Sequence, residues 1–115
     1  MAGTIKTQRN TMTVANGTAV SNGIQTRNRT ACAIETPATL TNTTILFEDS
    51  WDGVTWRPLM NKDGTAQYSV PCATNQARTI PLDLMVMQAA EWVRIAFSGN
   101  EGGARTFQLR TRIVD

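Results

Sequence analysis

Trp92-Val93-Arg94-Ile95-Ala96-Phe97 decides the fold class. Val93, Ile95 and Phe97 recur at every second position, with Trp92, Arg94 and Ala96 between them. That is the period of a half-buried strand, whose side chains alternate between two faces, and not the 3.6-residue period of a helix. Residues 106–114 repeat the pattern, with Phe107, Leu109, Thr111 and Ile113 set against Gln108, Arg110 and Arg112. Ile45 and Phe47 do the same within 44–48. Turn signals separate these runs at Asn16-Gly17, Asn22-Gly23, Asp52-Gly53, Asp63-Gly64, Ser98-Gly99 and Gly102-Gly103. Short alternating strands punctuated in this way predict an all-β fold, a single β-sandwich of jelly-roll or Ig-like type.

Composition agrees. The chain has 115 residues, 41% of them hydrophobic and 17% charged, with a formal net charge of +2. That is one domain with enough apolar content for a core, and it is not a disordered polyelectrolyte. Threonine dominates the polar residues, and its β-branched side chain favours strands. No stretch approaches the roughly 20 apolar residues of a membrane-spanning helix. Residues 1–10 hold no apolar run of the kind a secretory leader needs, so no secretory signal is expected there. In such a chain Cys32 and Cys72 read as buried thiols before they read as a disulfide.

Two segments depart from the strand pattern. Asp83 is a good N-cap for the helix formers that follow it, which predicts one short helix near 84–90. Met85 and Met87 on that helix are expected to plug one end of the core. Residues 1–13 lack turn signals and alternate weakly, so they are expected to form an extended N-terminal arm ahead of a sandwich domain over 14–115. On that expectation, deleting 1–12 would leave the fold intact.

The residues exclude most chemistry. The chain has no histidine, so a His-based triad and the commonest general base are missing. No Gly-rich phosphate loop occurs, and neither cysteine has metal-ligand spacing around it. Ser50-Trp51-Asp52-Gly53-Val54-Thr55-Trp56 resembles a sialidase Asp-box with one residue missing, yet it occurs once where a propeller would repeat it. It reads as a tight hairpin, with Gly53 supplying a positive φ. Glu48, Asp49 and Asp52 lack the ligand spacing of a calcium loop and read as a solvated acidic tip. No enzyme activity and no cofactor are expected.

Charge is uneven along the chain. Residues 1–30 carry Lys6, Arg9, Arg27 and Arg29 and no acid, whereas Glu35, Glu48, Asp49, Asp52 and Asp63 follow in the middle. A cationic end suits an acidic partner surface, which makes Ile5, Lys6, Arg9, Arg27 and Arg29 candidate contacts. Trp51, Asp52, Gly53 and Trp56 form a second candidate interface at the hairpin. Aromatics are not interleaved with a basic patch, so nucleic acid is not an expected partner.

The order of motifs carries a resemblance. Asn16-Gly17 and Asn22-Gly23 are followed by Ile45-Leu46-Phe47, then by Ser50-x-Asp52-Gly53-x-Thr55-Trp56-x-Pro58-Leu59. Ile80-Pro81-Leu82-Asp83, Glu91-Trp92-Val93-Arg94-Ile95 and Ser98-Gly99 come next, and an Arg-rich strand over 105–113 closes the series. Over 14–114 the chain resembles the small β-sandwich virion structural proteins of tailed bacteriophages. The resemblance implies a capsid decoration or cement protein, made in the host bacterial cytoplasm and placed on the capsid surface, bound to the major capsid protein lattice. It also implies a homo-oligomer, with a trimer natural where capsid subunits meet in threes. The alternatives are a tail, neck or fibre-associated virion protein, and a carbohydrate-binding receptor-contact module using Trp51 and Trp56.

Overall fold

The computed structural model describes residues 5–114, with Ile5 and Val114 described by their backbone alone. Among the described residues nine strands and one helical turn are present, and the strands form two antiparallel sheets packed face to face: an all-β sandwich. One sheet has the order β1 (Ile5–Val14), β9 (Arg105–Val114), β3 (Thr30–Glu35), β7 (Thr79–Pro81). The other runs β2 (Ile24–Gln25), β8 (Trp92–Ala96), β4 (Thr44–Ser50), β5 (Trp56–Pro58). β6 (Ser69–Pro71) pairs with the first half of β4, alongside β5 on the second half.

The alternation read from the sequence is the one that packs. Val93, Ile95, Phe107 and Leu109 are fully buried, as are Ile45 and Phe47 on β4. Each such side chain contributes roughly 1.5–3 kcal/mol by leaving water. β3 breaks period two: Ala31 and Ile34 both face inward with two residues between them, and the pairing with β9 slips between Ala31 and Ala33. A β-bulge there absorbs the extra residue. The helix, α1 (Leu84–Met87), is capped by Asp83, whose carboxylate accepts from the Met85 N–H. It is shorter than expected, and only one of its methionines plugs the core: Met87 is 1% exposed and Met85 63%.

The N-terminal segment corrects the expected arm. Residues 5–14 are extended but not free, because β1 pairs with β9 in unbroken register from Ile5↔Val114 to Val14↔Arg105. Met12 and Val14 are fully buried beneath the facing sheet. The alternation was masked because the remaining inward-side positions, Lys6, Gln8 and Asn10, are polar. Lys6 lies opposite Ile113, where β9 pairs with β1 alone, and Gln8 and Asn10 lie opposite Thr111 and Leu109 in the three-stranded part of the sheet. The boundary expected at 13/14 thus falls inside a strand, and residues 1–4 of the expected arm lie outside the described residues.

Both cysteines are unpaired: Cys32 donates to the Arg110 carbonyl and buried Cys72 to the Asn42 carbonyl. Among the described residues no helix is long and apolar enough to cross a membrane.

Candidate protein-interaction site

The turn from β2 to β3, residues 26–29, builds the candidate site. Thr26 anchors it: its N–H donates to the Glu91 carbonyl and its buried hydroxyl to the Ala90 carbonyl. Asn28 takes φ 65, the left-handed conformation that its short polar side chain tolerates. With the base fixed and the tip reversed, Arg27, Asn28 and Arg29 form a ridge. On one side lies a depression of about 790 Å³ shared with Trp51, Gln88 and Glu91. On another lies one of about 260 Å³, where Arg29 meets Lys6, Gln8 and Ile113.

The two arginines of the ridge differ in state. Arg27 is committed: its Nε donates to Glu91 at 3.1 Å, and its Nη2 donates to the Trp51 carbonyl at 3.1 Å. Its guanidinium lies 5.6 Å from the Trp51 ring centroid. A guanidinium over an indole face is a cation–π contact, which holds the exposed ring in place. Arg29 is half-buried; its N–H donates to the Thr26 carbonyl, but its guanidinium has no hydrogen-bond or ion-pair partner among the described residues. A half-buried cation without a counter-ion is the natural receptor for a carboxylate supplied from outside.

The other sequence candidates separate. Lys6 joins Arg29 around the smaller depression. Arg9 points to the opposite face of β1, where its guanidinium donates twice to Glu35 at 3.0 and 2.8 Å. Arg110 also donates to Glu35, at 2.7 Å, and the pair of arginines holds that carboxyl at about 2. Of Ile5 only the backbone position in β1 is described.

The hairpin splits too. Trp51 is 72% exposed at the tip, beside the ridge. Trp56 is half-buried on the outer face of its sheet, with Arg94 stacked 4.6 Å from its ring centroid and Arg94 bonded in turn to Glu48 at 2.6 Å. A Cβ on Gly23 would lie 2.7 Å from the Trp56 ring, and one on Gly53 would lie 3.0 Å from Trp92. The two glycines therefore admit two indoles as a lid over the sheet. Asp52 accepts from the Val54 and Thr55 N–H groups at 2.9 Å and from the Ser50 hydroxyl. Those bonds, the Thr55 N–H foremost, lower its carboxyl to about 2. Asp49 accepts from the Glu91 N–H. The acids at this hairpin shape the loop and its neighbours.

Gln88 and Glu91 line the site and were not singled out from the sequence. Neither carries a local signal, since each reaches the ridge only when β8 pairs with β2. Comparison with known proteins finds no matching family model, no matching curated protein and no matching solved structure.

Proposed function

We propose that this chain is a structural virion protein of the capsid decoration type, docking its cationic end on an acidic surface of the major capsid protein lattice. The motif order supplies the class. The observation that carries the docking reading is the Arg27–Asn28–Arg29 ridge, where the half-buried Arg29 guanidinium, without a partner among the described residues, stands beside an exposed Trp51. Arg and Trp are the residues that most often anchor protein interfaces, because each covers a large area at small conformational cost. Repetition of the site over a lattice lets each contact be modest and the whole be tight, and a homo-oligomer strengthens that effect. The carbohydrate reading needs two open rings, and Trp56 has one face taken by Arg94.

The test is co-sedimentation of the purified chain with capsid shells lacking it. Wild type is expected to saturate a fixed number of sites. Arg29→Glu is expected to weaken binding by about 30-fold or more, the scale of losing an interface anchor. Undiminished binding of the variant would overturn the docking site, and no binding by wild type would overturn the virion reading.

A further inference from the structure

Every described sheet edge but one is short and blunted. β5, β6 and β7 are three residues each and end in Pro58, Pro71 and Pro81, while β2 has two residues. Short strands and prolines are how proteins stop edges from recruiting another chain. β1 is the exception: ten residues at the edge of its sheet, with no proline, no glycine and no bulge.

Half of that edge is covered. The Thr13 N–H donates to Asn22 Oδ1 at 2.7 Å, and Asn22 Nδ2 donates to the Thr11 carbonyl at 3.2 Å. These bonds show that the backbone groups of residues 11 and 13 point away from β9. Backbone direction alternates along a strand and the register is unbroken, so Thr7 and Arg9 also present their N–H and C=O groups outward. Among the described residues no hydrogen bond covers those groups. The free stretch is flanked on both faces by depressions that share Thr7. One, of about 260 Å³, has Lys6 and Arg29; the other, of about 700 Å³, has Arg9, Arg110 and Arg112. Among the described residues Arg9 and Arg110 share one acid, Glu35, while the Arg29 and Arg112 side chains have no acid partner.

We infer that the Thr7–Arg9 edge of β1 is a strand-addition site for an extended, acidic segment of a partner protein. Four backbone groups supply the ladder, and alternate side chains of the added strand enter the two cationic depressions. A second copy of this chain fits worse, because it would bring the same cations against themselves. The inference deepens the docking role and rests on it only for the source of the segment.

The probe is a short blocked peptide alternating valine with glutamate, followed by backbone amide hydrogen exchange on the full chain. Protection of the Thr7 and Arg9 amides is expected, with binding lost when the peptide backbone is N-methylated at alternate residues. Thr7→Pro is expected to weaken binding at least about tenfold while keeping the fold, because that N–H makes no bond to β9. No binding, or binding without protection of those two amides, would overturn the site. Equal binding of the N-methylated peptide would also overturn it, and does not depend on any variant folding. Self-association of the free chain that Thr7→Pro abolishes would overturn the acidic partner in favour of a second copy. Shell binding lost in Arg29→Glu but kept in Thr7→Pro would overturn the edge and leave the docking role. Peptide binding as expected with no shell binding would overturn the docking role and leave the edge.

Discussion

Glu101 is a carboxylate with no exposed side-chain surface, and replacing it is expected to cost more than any surface change in the chain. Its Oε1 accepts from the Thr41 N–H at 2.8 Å and from Arg105 Nε at 2.9 Å. Its Oε2 accepts from the Asn42 N–H at 3.0 Å and from the Asn42 side-chain amide. The Glu101 backbone bonds to Thr18 and Gly17, so one residue ties three loops at the same end of the sandwich. Glu101→Gln keeps the shape but turns one oxygen into a donor facing donors, and leaves the Arg105 guanidinium, 17% exposed, without its counter-ion. Removing one partner of a buried pair costs about 3–5 kcal/mol. Against a total stability of about 5–15 kcal/mol, that is a large fraction. Urea unfolding followed by tryptophan fluorescence is the assay, with a fall of about 3 kcal/mol expected. Arg105→Met is expected to recover part of the loss in the double variant, because the stranded charge is then gone. The sign of the acid dependence follows from the same bonds. Burial pushes the carboxyl up, but the Thr41 N–H, Arg105 and Asn42 outweigh it and leave the carboxyl below its ordinary value. Its contribution is therefore present above the unfolded pKa and is lost as pH falls through the folded one. Glu101→Gln should remove that part of the acid limb. A variant within about 1 kcal/mol of wild type, with an unchanged acid limb, would refute the reasoning.

Glu35 and Asp52, both held at about 2, should make stability fall between about pH 4 and pH 2, where the unfolded chain takes up protons first. Urea midpoints measured across that window check this, and Asp52→Asn should flatten the slope; an identical slope in the variant would sink it. Gly23→Ala places a methyl 2.7 Å from the Trp56 ring and is expected to cost about 1–3 kcal/mol with a change in tryptophan emission. An unchanged midpoint and spectrum would show that the indole lid yields freely. Deleting residues 1–12 removes buried Met12 and most of a sheet edge, so cooperative unfolding should vanish. A sharp urea transition in the truncated chain would show β1 to be dispensable.

The sequence by itself determined the sandwich, because inward positions under the facing sheet must be apolar and period two survives there: Val93, Ile95, Phe107 and Leu109 are legible as a face. It also determined the α1 cap and the self-bonded turn around Asp52, whose partners lie two or three residues away. β1 was not legible, because its other inward positions, Lys6, Gln8 and Asn10, are polar and local alternation says nothing. Arg9 and Arg29 read alike as cations in an acid-free segment. Only the tertiary structure decided that one meets Glu35, 26 positions away, while the other's half-buried guanidinium has no partner among the described residues. Glu101 likewise reads as a surface acid beside Gly102-Gly103 until a neighbouring loop brings Thr41 and Asn42 across 60 positions to enclose it. Local chemistry fixes what short-range hydrogen bonds and face periodicity can fix; which charge is satisfied depends on long-range pairing, and that is written only in three dimensions.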